Sequence, residues 1–208
     1  MLALAVALLA SAPPSAVAGA PARCNAFRGR RLLRSRSVVV IERTVGERRA
    51  YAFTCVPPGG RVHLAGWAFD ETISAGYSVK VLGSAGTWVA IQFGSQVDFH
   101  GGEELGKMCN ARTGRCYRFF HAFTYGGSQF AEVAAEQPAL EAVAVNRFGE
   151  MLLAETLKGT TNVVSVAANG SESILGSAHV ASIPPASLKL LGHEASWIDS
   201  GIVRRARI

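Results

Sequence analysis

The sequence has none of the short motifs that mark the common catalytic folds. It contains no G-x-S-x-G nucleophile elbow, no H-E-x-x-H motif, no P-loop and no G-x-G-x-x-G at the start of a helix. These absences argue against the corresponding hydrolase, metalloprotease and nucleotide-binding classes. The sequence has five histidines, and no two of them stand at metal-ligand spacing on one element. These histidines are His63, His100, His121, His179 and His193. We therefore assign no catalytic residue, no metal and no cofactor from the sequence.

A long hydrophobic run is also missing. The apolar stretch over residues 1–10 is shorter than the roughly 20 residues that a membrane-spanning helix needs. Small residues follow it at Ala16, Ala18 and Ala20, which is typical of a secretory signal peptide. We expect residues 1–20 to be the signal, cleaved near Ala18 or Ala20. Because no Lys or Arg opens the segment, we expect the true start to lie upstream of residue 1. An apolar tail on a cytosolic protein is the alternative.

The sequence has only four cysteines, and their positions favour disulfides over a metal site. Cys109 and Cys116 flank a turn-like stretch, so they would face one another across a hairpin. Cys24 and Cys55 are then the remaining pair. Neither pair has the tight C-x₂₋₄-C spacing of zinc sites. Two disulfides are typical of an oxidising compartment, so we expect a secreted protein, extracellular or periplasmic.

A twelve-residue phrase occurs twice in the chain. Residues 78–89 and 187–198 both contain an alternating apolar stretch, a Leu-Gly pair and a hydroxyl residue before a tryptophan, Trp88 or Trp197. Alternation with a period of two predicts strands, and glycine allows the tight turn between them. The phrase therefore predicts a hairpin, with the two tryptophans at equivalent core positions.

A weaker copy of the phrase spans residues 142–153. A helix is the alternative over residues 139–155, since Ala, Leu and Glu are good helix formers, and residues 130–145 are the best helical candidate in the chain. We favour strands, because a Val-x-Val alternation precedes a turn-like Asn and Gly. Asn169-Gly170, between two further β-like runs, is among the strongest hairpin signals.

Together these segments predict about four units of up to four strands. Three more strands are expected over residues 38–43, 49–55 and 61–64. The last unit has residues 202–208 for a third strand and nothing for a fourth. We expect residues 24–33 to supply it and close a ring, which would remove an exposed edge. No linker-like segment divides residues 21–208, so we expect one domain.

With its repeated S-L-x-L-x-G-x-x-h-x-W phrase, the chain resembles secreted bacterial proteins with degenerate β-propeller blades. The resemblance implies an all-β, propeller-like repeat of about four antiparallel blades. A β-trefoil or an irregular β-sandwich could show similar hairpins. The resemblance implies a fold and does not imply a function.

Two short clusters are candidates for ligand binding. Trp67 stands beside the carboxylates Asp70 and Glu71 in what reads as a loop, where an aromatic ring could stack on a sugar and the acids could bind its hydroxyls. An inter-blade loop with a buried tryptophan is the ordinary alternative. Asp98 and His100 precede Gly101, Gly102, Glu103 and Glu104, which could form an acid–base or calcium site or a solvated turn.

His121 lies in a run of aromatic residues that reads as strand and core. We add His121 to the candidate ligand-binding residues of the two clusters.

Basic residues outnumber acidic ones, 21 to 15, and arginines gather at both ends of residues 21–208. If these ends share a blade, the arginines form one positive patch that suits an anionic polymer or glycan. The alternative is a solvated strand face whose charges prevent edge pairing. No aromatic residues interleave these arginines, so a nucleic acid partner is not expected.

The function that these features favour is a secreted, non-enzymatic β-repeat domain for binding or interaction at the cell surface or outside the cell. The alternative is a secreted glycan-processing hydrolase or lyase. Its site would gather the carboxylates and histidines of several loops, with Asp70, Glu71, Asp98, His100 and His121 as candidates.

Overall fold

The computed structural model describes residues 22–70, 77–96, 101–125 and 137–208, and within these ranges the chain is all-β. The described strands form four antiparallel sheets, and in each sheet the strands lie side by side in chain order. Within the same ranges, no helix is long or apolar enough to cross a membrane. The predicted all-β fold of about four antiparallel units is confirmed.

The first and second sheets have four strands each. The first contains β1 (Arg30–Arg34), β2 (Val39–Val45), β3 (Arg49–Cys55) and β4 (His63–Phe69). The second contains β5 (Ser78–Ala85), β6 (Trp88–Gln96), β7 (Gly101–Asn110) and β8 (Cys116–Tyr125).

The third sheet has four strands and the fourth has three. The third contains β9 (Ala139–Val145), β10 (Met151–Leu157), β11 (Thr160–Val166) and β12 (Glu172–His179). The fourth contains β13 (Lys189–Leu191), β14 (Glu194–Asp199) and β15 (Ile202–Arg207). A helix over residues 139–145 is therefore wrong, because this segment is β9; residues 130–136 lie outside the described residues.

The sheets pack face to face in chain order, with one apolar layer between each neighbouring pair. Phe93 and Ile91 of β6 pack with Val40 of the first sheet. Met108 and Phe120 of the second sheet pack with residues of the third, and Trp197 of β14 packs with Leu152 of β10. Each layer excludes water from both of its sheets, so apolar burial holds the stack together.

The turn between β9 and β10 is bonded to both neighbouring sheets. The Tyr117 hydroxyl of the second sheet donates to the Gly149 carbonyl (2.7 Å). The buried Asn146 amide donates to the Gly192 carbonyl of the fourth sheet (2.6 Å), and His193 Nδ1 lies 2.8 Å from Glu150 Oε2. Burial, and secondarily the Glu150 charge, raises the pKa of Tyr117, so this hydroxyl stays a proton donor.

The two tryptophans of the repeated phrase do not occupy equivalent places, so that prediction is wrong. Trp88 begins β6, directly after a turn at Gly86, and packs against Gly149 of the third sheet. Trp197 is the fourth residue of β14, after a turn at Gly192, and packs from the fourth sheet onto Gly176. The two hairpins turn at different positions of the phrase, and in a strand such a register difference changes the face that a side chain occupies.

The predicted ring closure by residues 24–33 is also wrong. β1 pairs antiparallel with β2, so these residues belong to the first sheet and not to the fourth. No buried cluster of described residues joins the fourth sheet to the first. The arginines near residue 30 and those of β15 therefore lie on different sheets and do not share a blade.

Both predicted disulfides are present. Cys109 and Cys116 are opposite residues of the β7–β8 hairpin and are bonded. Cys24 is bonded to Cys55 and lies in a small core with Ile41 and Phe27. This bond fixes the segment before β1 onto the first sheet.

Candidate binding face on the first sheet

Strand alternation gives the first sheet two different faces. Ala50 and Ala52 of β3 are buried in the layer against the second sheet, as is Ala68 of β4. Because alternate side chains point to opposite faces, Tyr51 and Trp67 point away from that layer. Small residues therefore fill the inner face, and large aromatic residues occupy the outer one.

The outer face carries two cross-strand rows. Arg43, Tyr51 and Trp67 are paired across β2, β3 and β4. Val45, Arg49 and Phe69 form the next row. Residues that are opposite in an antiparallel sheet have Cβ atoms about 5 Å apart, so each row places an arginine beside aromatic rings. We call these six residues the open face.

The open face is exposed where it carries its largest ring. The Trp67 side chain is 48% exposed, and Val45 is 54% exposed. The Trp67 and Phe69 ring centroids lie 5.1 Å apart at an interplanar angle of 41°. A packed tryptophan that leaves half its surface in water forms a platform for a planar ligand, because the contact with Phe69 restrains the ring.

Positive charge surrounds these rings. Arg43 and Arg49 are exposed, and among the described residues no carboxylate lies within ion-pair distance of either. In contrast, Arg30 Nε donates to the buried Glu42 carboxylate (2.6 Å). The open face therefore carries two guanidinium groups that form no ion pair with a described carboxylate.

The open face ends at a shallow cavity on one side and at a covered area on the other. The cavity has a volume of about 360 Å³ and is lined by Arg48, Arg49, Phe69 and Asp70. On the other side, Phe27 packs on Phe53 with ring centroids 4.7 Å apart. The segment that the Cys24–Cys55 bond fixes thus covers one half of the outer face and leaves the other half open.

The structure corrects the predicted loop around Trp67. Trp67 lies within β4 and is not in a loop, because its neighbours Gly66 and Ala68 pack against the second sheet. Asp70 follows β4, is 5% exposed, and donates its N–H to the Arg48 carbonyl (2.9 Å). Glu71 lies outside the described residues.

The second predicted cluster is also partly a strand. Gly101, Gly102, Glu103 and Glu104 belong to β7, so a solvated turn is wrong for them. Asp98 and His100 lie outside the described residues.

His121 of β8 pairs with Glu103 of β7. His121 Nε2 lies 2.7 Å from Glu103 Oε1, and the imidazole packs on the exposed Phe123 ring at 4.8 Å. Further along β7, burial lowers the pKa of Lys107, whose ammonium lies 5.8 Å from the centre of the Phe93 ring. Within the described residues no group of three or more His, Cys, Asp or Glu side chains could hold a metal ion.

Sequence reasoning did not select four residues of the open face: Arg43, Val45, Arg49 and Tyr51. The alternation of Arg49, Tyr51 and Phe53 with alanines was a usable signal, because it places two sizes of side chain on two faces. The exposure of the face with the large side chains could not be predicted from the sequence, since it depends on which part of that face the neighbouring segments cover.

No protein-family model matches this chain, and no curated protein matches it.

Proposed function

We propose that this protein is an exported, non-enzymatic binding domain with degenerate propeller-like blades, and that its open face binds an anionic polysaccharide. The observation that carries this proposal is the half-exposed Trp67 in a row with Tyr51 and the exposed Arg43. Export is supported by the two disulfides and by the apolar segment over residues 1–10.

The open face has the chemistry that an acidic sugar chain needs. Flat aromatic rings offer apolar area to the C–H faces of sugar rings at little entropic cost, since each ring has only two side-chain torsions. A guanidinium group donates a fork of hydrogen bonds to a carboxylate or sulfate. Within each row, residues on neighbouring strands have Cβ atoms about 5 Å apart. The guanidinium groups would therefore contact the charged substituents of a polysaccharide chain, and the aromatic rings would contact the sugar rings of the same chain.

Trp67→Ala is expected to weaken binding of polygalacturonate by about 30-fold, because removal of a central aromatic anchor typically costs about 2 kcal/mol or more. The affinity would be measured by isothermal titration calorimetry on the full chain, with neutral dextran as the uncharged comparison. Binding should also weaken with rising salt, as contacts between exposed charges are screened.

The matched control is Phe148→Ala, which removes another exposed aromatic ring (41% exposed), from the turn between β9 and β10. It should leave the affinity unchanged. Equal losses for the two variants would show that the open face is not the site. Binding of single-stranded DNA with equal or higher affinity than the polysaccharide would point to a nucleic acid partner instead and contradict the proposal.

The Glu103–His121 pair favours a second candidate, the glycan-processing enzyme. A carboxylate that hydrogen-bonds an imidazole is a common acid–base unit. The two candidates differ in product: an enzyme releases new reducing ends from polygalacturonate, and a binding domain does not. We expect no new reducing ends. If new reducing ends are released and Glu103→Gln abolishes their release, the protein is a glycan-processing enzyme.

A further inference from the structure

Among the described residues, no strand pairs with the outer edge of the fourth sheet. The first three sheets continue to a fourth strand, namely β4, β8 and β12. Among the described residues the fourth sheet stops at its third strand, β15, whose residues are exposed except Ala206. Within the described part of the chain, β15 is therefore an edge strand at the place where each other sheet has one more strand.

The backbone groups that face this edge can be identified. The Ile208 N–H donates to the His193 carbonyl (2.9 Å), and the β14–β15 register continues from that pair. In an antiparallel ladder, alternate residues bond to the same neighbour. Arg204 and Ala206 therefore bond to β14, and the N–H and carbonyl groups of Val203, Arg205 and Arg207 point outward.

The side chains of the same three residues share one face of the sheet. Val203 is 58% exposed. Arg205 has a distant carboxylate partner, with Nε 3.8 Å from Glu194 Oε1, and Arg207 has none among the described residues. A cavity of about 540 Å³ lies beside this face and has room for side chains from outside; two arginines and one carboxylate, Arg205, Arg207 and Glu194, are among its lining residues, so its lining keeps an excess of positive charge.

We propose that β15 binds an extended acidic segment of a partner protein by strand addition. The arginines disfavour a second copy of the chain, because an antiparallel β15–β15 pair would set arginines against arginines. The same charges favour acidic side chains. For an antiparallel partner strand, the register requires acidic residues opposite Arg207 and Arg205 and an apolar residue opposite Val203, which gives the pattern acidic-x-acidic-x-apolar.

The test uses the full chain and an acetylated, amidated peptide of sequence Thr-Glu-Thr-Glu-Thr-Val. Amide exchange measured by NMR should be fast at Val203, Arg205 and Arg207 in the free protein and slow at Arg204 and Ala206, whose N–H groups bond to β14. Saturating peptide should protect the first three amides. A lysine peptide, Thr-Lys-Thr-Lys-Thr-Val, should not.

A charge exchange separates strand addition from general attraction to a basic protein. The double variant R205E/R207E should bind the glutamate peptide at least roughly tenfold more weakly and should gain binding of the lysine peptide. The control R112E/R115E makes the same change of net charge at the exposed β7–β8 turn and should behave like the unmodified protein.

Three outcomes would overturn the proposal. Equal weakening by R112E/R115E would show nonspecific attraction. Unchanged exchange at the three outward amides with peptide bound would place the peptide elsewhere. Protection of these amides in the free protein would mean that the edge is already filled, by a second copy if the protection increases with protein concentration.

Discussion

Replacing Phe93 with alanine is expected to lower the free energy of unfolding by about 3–5 kcal/mol, the usual cost of a Phe→Ala cavity in a core. Phe93 is 1% exposed and lies in the apolar layer between the first and second sheets. Its ring packs on Gly66 of β4, where an added Cβ would lie 2.7 Å from the Phe93 Cζ. Urea unfolding followed by circular dichroism would measure the loss.

Because Phe93 and Gly66 are in contact, the effects of substituting them should depend on each other. Gly66→Ala alone should destabilise the protein, since the new methyl group meets the Phe93 ring. In the Phe93→Ala background the same methyl group has space, so most of its cost should disappear. The two changes should therefore be clearly non-additive, as expected for residues in direct contact.

Phe148→Ala is the control, because Phe148 is 41% exposed and its substitution should lower the free energy of unfolding far less. A small loss for Phe93→Ala, or strict additivity with Gly66→Ala, would contradict the packing of the first two sheets. The experiment also bears on the open face, because Gly66 and Ala68 fix the strand that presents Trp67. A destabilised layer should weaken polysaccharide binding as well.

Local signals predicted the strands and turns well. Residues 49–55 were expected to be a strand and form β3 with the same bounds, because the alternating pattern is bounded by turn residues on both sides. Asn169-Gly170 forms the turn between β11 and β12, with Gly170 at φ 87°, a conformation that glycine adopts readily. Both disulfides also followed from local spacing and elimination.

The arrangement of sheets could not be predicted from the same signals. The repeated phrase aligned Trp88 with Trp197 residue by residue, but the two hairpins turn at different glycines, Gly86 and Gly192. Sequence identity at a strand position does not determine which face it occupies unless the turn is also known. The partner of residues 24–33 depends on long-range strand pairing, which no short pattern encodes.

The candidate site was predicted only in part for the same reason. Trp67 was named from the sequence as a possible contact residue and is 48% exposed, and its contact with a ligand stays a prediction. Tyr51, Arg43 and Arg49 join it only through the pairing of β2, β3 and β4. Such rows are tertiary features, and they become visible only when the strands are placed side by side.

Removing the Cys24–Cys55 disulfide by a double substitution to alanine is expected to lower the free energy of unfolding by about 3.5 kcal/mol. The bond closes a loop with a sequence separation of 31, and the stabilisation from restricting the unfolded chain grows with loop length. Both residues are also buried with Val39 and Ile41, so the substitution removes apolar contacts as well. Urea unfolding under non-reducing conditions would measure the effect.

The chain supplies its own control, the Cys109–Cys116 bond, whose sequence separation is 7. The same substitution there is expected to cost about 2.5 kcal/mol, so the ratio of the two losses tests whether the stabilisation grows with loop length.

The two bonds should also differ in their local effect. Loss of Cys24–Cys55 should release the segment that holds Phe27 on Phe53, and loss of Cys109–Cys116 should not release it. Proteolysis near residue 27 in only the first variant would confirm this. An equal or larger loss for the short loop, with residue 27 still protected, would mean that burial of Phe27, and not the covalent bond, holds the segment on the sheet.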